Sequence, residues 1–127
     1  MKSYYTVALG MVASFALGAV AVQTLHAQAK PPVYFIAEND VTNADAYKNE
    51  FLSVVVPLAQ AHGGRYLAAG NATALSGDAP KSRVVIIVWD NMEKLQGWYK
   101  SSEHQKALQV GAKYAKFREY AVPGLAE

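Results

Sequence analysis

His62-Gly63-Gly64-Arg65-Tyr66-Leu67-Ala68-Ala69-Gly70, or HGGRYLAAG, sits in the middle of a 127-residue chain. A phosphate cradle needs a strand, then glycines, then a helix N-terminus, so that amide N–H groups point at the anion. Here the apolar residues before the glycines recur at helical spacing, so the glycines follow a helix C-terminus, where carbonyls point outward. The fragment therefore reads as a helix stop and a reversal. Gly63 suits the left-handed position past the last helical turn, Gly64 lets the chain turn back, and Arg65 to Ala69 continue as a strand. Gly70-Asn71 loosens its end, as a bulge or bend would.

Upstream, Thr42 is a candidate N-cap with Asp45 three residues on. Tyr47, Phe51, Val54, Val55, Leu58 and Ala61 follow as one apolar stripe. Pro57 lies inside this helix and is expected to bend it. Before it, Val33 to Glu38 is β-branched and aromatic and reads as a strand. Val33, Phe35 and Ala37 occupy one face, and Tyr34, Ile36 and Glu38 the other. Downstream, Ser76 to Ser82 is a turn cluster. Arg83 to Trp89 (RVVIIVW) is the strongest strand, and its unbroken apolar run suits a central position. Asp90 or Asn91 caps a helix carrying Met92, Leu95, Trp98 and Tyr99. Ser102 with Gln105 forms a second capping pattern and restarts the helix, which runs to near Tyr114. Phe117 to Gly124 is the last strand, interrupted by Pro123.

The order is β-α-β-β-α-β. It predicts an α+β, ferredoxin-like domain: a four-stranded antiparallel sheet with both helices on one face. The other face carries too few polar residues to stand in water. A homodimer packing two sheets face to face, a dimeric α/β barrel, solves this.

Composition removes several function classes. With no cysteine there is no disulfide framework, thiolate zinc site or cysteine nucleophile. A formal charge of +2 without a basic run excludes nucleic acid as a partner. No glycine-rich dinucleotide fingerprint follows a strand and no serine sits in a nucleophile-elbow pattern, so no cofactor is expected. His62 and His104 lie in no metal-ligand spacing, so no metal is expected either.

The first 29 residues are a separate segment. Lys2 gives a positive start, Val7 to Val22 are 16 residues apolar except for one serine, and Ala27-Gln28-Ala29 offers small residues to a signal peptidase. This reads as a secretory signal peptide cleaved after Ala29, placing the protein in a bacterial periplasm or outside the cell. The competing reading is an uncleaved anchor, but the run is shorter than the ~20 residues of a spanning helix. The remaining domain, Lys30 to Glu127, has 98 residues and a charge of +1.

The domain resembles domain of unknown function family 1330, of the dimeric α/β-barrel superfamily. The resemblance rests on AYKNEF in the first helix, GGRYLAAG into the second strand, RVVIIVWDNMEKLQGWY through the third strand, and SSEHQ at the helix break. It implies the fold and a dimer, and no settled reaction. Family members often carry charged residues where this chain has Ala69, Val88 and Gly111, and often Ser-Pro-Glu-Tyr where it has Ser102 and His104. No catalytic residue is therefore carried over.

Candidate site residues come from the side chains themselves. Any ligand site is expected between the first helix, the interrupted second helix and the sheet, near Tyr34, Tyr47, Arg65, Trp98, Tyr99 and His104. The aromatic residues are first core material and second the walls of a small-molecule pocket. Arg65 and Arg83, each opening a strand, are candidates to hold a carboxylate through paired hydrogen bonds. Glu38, Asn39 and Asp40 read as a polar rim. His62 reads as a helix-end residue and His104 as partly exposed. Two functions follow: an exported dimeric protein holding a small apolar or aromatic molecule, or a cofactor-independent monooxygenase- or isomerase-like enzyme. A buried, perturbed histidine or arginine facing a cavity would favour the enzyme.

Overall fold

A computed structural model describes residues 31–126, so the expectations about the first 29 residues fall outside the described part. The elements are β1 (Val33–Val41), α1 (Ala44–Ala46), a π-helical segment (Tyr47–Leu52), α2 (Ser53–Ala61), β2 (Arg65–Gly70), β3 (Arg83–Trp89), α3 (Met92–Tyr99), α4 (Ser102–Gly111) and β4 (Ala115–Pro123). The strands form one antiparallel sheet in the order β2-β3-β1-β4. This is the ferredoxin-like arrangement read from the sequence.

The HGGRYLAAG fragment behaves as a helix stop. The Gly64 N–H donates to the Ala59 carbonyl at 2.9 Å and the Gly63 N–H to the Gln60 carbonyl at 3.1 Å. This Schellman pair satisfies two carbonyls that the helix end leaves open. Gly63 has φ +100°, which only glycine adopts without strain. Gly64 is needed for a different reason: a Cβ there would lie 2.7 Å from the ring of Trp89.

The first helix departs from regular spacing. Its buried residues are Tyr47, Phe51, Val55 and Ala59, four apart throughout, whereas Val54 is 50% exposed and Ala61 is exposed. The π-helical segment is the cause, because it adds residues per turn and rotates the stripe away from the expected 3.6 period. The irregularity thus precedes Pro57.

Other boundaries move by one to three residues. Asn43, not Thr42, caps α1, accepting from the Ala46 N–H at 3.1 Å, while the Thr42 hydroxyl donates to the Tyr114 carbonyl at 3.0 Å. Asn91 caps α3 through the Lys94 N–H at 2.9 Å. Ser101, not Ser102, caps α4 through the His104 N–H at 3.2 Å. That helix ends at Gly111, short of Tyr114, where a Cβ would come 2.5 Å from Phe51. The bulge lies at Leu67, before the expected Gly70-Asn71, so that Leu67 and Ala68 together oppose Ile86.

Side-chain alternation assigns the two sheet faces. Val33, Phe35, Ala37, Val85, Ile87, Trp89 and Ala115 face the helices and join Tyr47, Phe51, Val55, Leu95, Trp98 and Ala107 in the core. Trp89 and Trp98 stack at 4.8 Å between ring centroids. On the opposite face Tyr34, Ile36, Val84 and Ile86 are half-buried, and Tyr120 and Val122 are 41% and 44% exposed. Glu38 also lies on this face, buried, and accepts from the Tyr120 hydroxyl at 2.8 Å.

Candidate functional site

The sheet register builds a cavity between the helices and the sheet. Three rows of residues cross the strands on the helix side: Tyr66, Ile87, Phe35 and Ala121; then Ala69, Val85, Ala37 and Glu119; then Arg83, Asn39 and Phe117. The outer rows hold large side chains. The middle row holds two alanines and a valine, so space remains above it. The first helix provides the roof through Tyr47, Phe51, Leu52, Val55 and Val56, and Trp98 and His104 from α3 and α4 close the inner end. The resulting cavity measures about 140 Å³. A cavity of roughly 150 Å³ takes up one benzene ring, so this one has room for a single ring.

The inner end belongs to His104. The break between α3 and α4 places it in the first turn of α4, and it is only 1% exposed. It was expected partly exposed; instead its ring packs 4.2 Å from Trp98 and 5.2 Å from Tyr99, which the helix break brings beside it. Among the described residues neither ring nitrogen has a hydrogen-bond partner, and the Trp98 Nε1–H lacks one as well. Burial, with a smaller effect of His62, pushes the His104 pKa down from 6.5 to about 4. The imidazole is therefore neutral at neutral pH, with one donor and one acceptor nitrogen. Beside it the Tyr99 hydroxyl donates to Glu119 Oε1 at 3.0 Å. Burial raises the Glu119 carboxyl, against the lowering effect of that hydrogen bond.

The other end is polar too. Asn39 Nδ2 donates to the Tyr47 hydroxyl at 2.8 Å, while Asn39 Oδ1 and Arg83 Nε are buried without partners among the described residues. Burial raises the Tyr47 hydroxyl, opposed by the Asn39 hydrogen bond and by Arg83. Tyr66 is pushed up to about 12, mainly by burial. Leu52, Val56 and Arg83, half-buried, and Ala69, exposed, border the cavity on the side of β2. A wider depression of about 380 Å³ shares Tyr47, Leu52 and Arg83 with it and marks the mouth. Among the described residues no group of three or more histidine, aspartate or glutamate side chains could hold a metal ion.

The cavity lies where the sequence placed a ligand site, but it gathers only some of the expected residues. Tyr47, Trp98 and His104 line it, and Tyr99 supports His104 from behind. Tyr34 does not reach it, because strand alternation turns it to the opposite face from Phe35. Arg65 does not either: it opposes Val88, points away from the helices and pairs with Asp90 at 3.3 Å in solvent. Arg83 takes the place expected of Arg65. Asn39 is not a rim residue but 3% exposed within β1, and Glu119 is a further wall residue. Both were legible from alternation, since Asn39 is two residues from Ala37 and Glu119 two from Phe117.

Comparisons with known proteins agree with the geometry. No curated protein sequence matches the chain. Among solved structures, RPA0582 of Rhodopseudomonas palustris, of unknown function, superposes with a TM-score of 0.60 at 14% identity, over 84% of this chain and 94% of that one. SnoaB, a cofactor-independent oxygenase from Streptomyces nogalater, gives 0.57 at 12% identity, over 76% and 96%. HapK from Hahella chejuensis gives 0.57 at 18% identity, over 75% and 94%. At these identities the likeness is one of fold. The family described as Domain of unknown function (DUF1330) matches residues 32–125, and the chain belongs to that family.

Proposed function

We propose that the domain is a cofactor-independent enzyme that removes a proton from a hydroxyl on a small single-ring substrate, with His104 as the base. One observation carries this reading: both ring nitrogens of a buried histidine are unpartnered on the wall of a ring-sized aromatic cavity. Buried polar atoms without partners are rare in folded proteins. A ligand hydroxyl at His104 supplies the missing hydrogen bond. The substrate O–H bond then breaks, the proton moves to the imidazole, and the electron pair stays on oxygen. The depressed pKa keeps the acceptor lone pair free, and the anion formed beside it raises the imidazole's affinity for the proton. From that anion, return of the imidazole's proton to carbon gives a tautomer, or addition of dioxygen, which takes up the anion's electrons as the oxidant, gives an oxygenated product. SnoaB, an oxygenase of this fold that uses no cofactor, supports the second outcome.

The test uses the full-length protein with two single-ring probes, phenylpyruvate for tautomerisation and hydroquinone for oxygen uptake. A rate above background with at least one, falling about 100-fold or more in His104→Phe, is expected for loss of a general base. Binding of phenol without turnover of either probe replaces this reading with that of a ligand-holding protein.

We also propose that a second copy of the chain covers the open sheet face in a homodimer. Leu67, Tyr120 and Val122 are exposed there beside half-buried Tyr34, Ile36 and Ile86, and such a continuous apolar face is a common mark of a contact surface. Export to the periplasm or beyond is proposed from residues 1–29. N-terminal sequencing of the exported protein is expected to begin at Lys30, and a Met1 retained in the membrane fraction refutes cleavage.

A further inference from the structure

The mouth of the cavity carries chemistry that proton removal at His104 does not use. Arg83 Nε is buried without a partner, and among the described residues no carboxylate lies within ion-pair distance of Arg83. A buried guanidinium edge without an acceptor is costly unless a ligand supplies one. Next to it are the Tyr47 hydroxyl and the Asn39 carboxamide, joined at 2.8 Å. In this orientation Asn39 Oδ1 is the unpartnered atom. A half-turn of the carboxamide exchanges its two ends, so that Oδ1 accepts from Tyr47 and Nδ2 faces the cavity. The mouth then presents the donors of Asn39 Nδ2 and Arg83, while the Tyr47 hydroxyl, its hydrogen given to Asn39, holds the carboxamide in that orientation. Lys48 lines the outer depression that shares Tyr47 and Arg83 and adds positive charge.

The inner end is the opposite. Glu119 is part of the wall there, its carboxyl engaged by Tyr99. A second carboxylate beside it would be repelled and fully desolvated. Charge thus orients a ligand: its anionic end belongs at Arg83, half in solvent, and its neutral hydroxyl at His104.

Resting on the reading of His104 above, we propose that the ligand is a single-ring acid. Its carboxylate is held at the mouth by Arg83 and by Asn39 Nδ2, which Tyr47 orients, and a hydroxyl on the far side of the ring meets His104. The Phe35 and Asn39 rows are four strand residues apart, or about 13 Å along the backbone. The cavity between these rows takes one ring, and the ring's two substituents extend toward the mouth and toward His104.

Calorimetric titration of the full-length protein with phenol, 4-hydroxybenzamide and 4-hydroxybenzoate tests this. The amide and the acid have nearly the same shape and differ in charge. The acid is expected to bind at least about tenfold more tightly than the amide, as a charge-assisted pair with arginine requires. Arg83→Gln is expected to bring that ratio close to one. Equal affinity for acid and amide in the unaltered protein overturns the proposal and leaves the His104 site standing if phenol still binds. A ratio that survives Arg83→Gln overturns it as well. Failure of all three probes to bind removes the cavity as a ligand site and this proposal with it. Should Arg83→Gln not fold, the acid-to-amide ratio of the unaltered protein decides alone.

Discussion

The burial of His104 makes a quantitative prediction about pH. In the unfolded chain the imidazole titrates near 6.5; in the fold, packed against Trp98 and Tyr99, it titrates at about 4. Between those values the unfolded state holds the proton and the folded state does not. Stability contributed by the neutral histidine is therefore fully present above pH 6.5 and is lost as pH falls toward 4. At 1.36 kcal/mol per pH unit the whole shift is worth about 3 kcal/mol, of which about 2 kcal/mol is lost between pH 7 and pH 5. Carboxylates also respond to acid, so the comparison is with His104→Phe, which keeps an aromatic ring in the pocket and removes the titration. Urea unfolding of both proteins at pH 7, 6 and 5 gives the two slopes. The unaltered protein is expected to lose about 2 kcal/mol more than the variant over that range. Coincident slopes would show that His104 takes up its proton as readily folded as unfolded. The burial argument, and with it the neutral base, would then fail.

Gly63→Ala is expected to cost about 1 kcal/mol through its left-handed backbone alone, since the nearest atom to the new Cβ is 3.9 Å away. Gly64→Ala should cost more, about 1–3 kcal/mol, because Trp89 must move; unchanged urea midpoints in both variants refute the helix-stop account. Gly111→Ala drives a methyl to within 2.5 Å of Phe51. It is expected to destabilise by about 1–3 kcal/mol and, by pushing Phe51 into the cavity, to weaken phenol binding in calorimetry; unaltered affinity and midpoint contradict that geometry. Light scattering at micromolar concentration is expected to report a homodimer, and a monomer refutes the covered sheet face.

The order of elements and the sheet were legible in the sequence, because periodicity and punctuation are local. Gly63 stops a helix wherever it packs, and Arg83 to Trp89 is too continuously apolar to be anything but a central strand. The layer between helices and sheet was legible as the place to look for a cavity, but the space arises over the small Ala37, Ala69 and Val85 row, and the Ser101-Ser102 break is filled by His104. Which residues line that space was decided only in three dimensions. A π-helical segment cannot be read from apolar spacing, yet it aligns Tyr47, Phe51 and Val55 over the sheet. Arg65 and Arg83 look alike in sequence, each opening a strand. The register of β2 against β3 sends Arg65 into solvent with Asp90, and that of β1 against β3 sets Arg83 opposite the inward-facing Asn39. His104 carries a polar ring at the first turn of a helix, a position usually exposed. It is buried because the break between α3 and α4 folds that turn onto Trp98 and Tyr99, and burial rather than sequence context sets its charge.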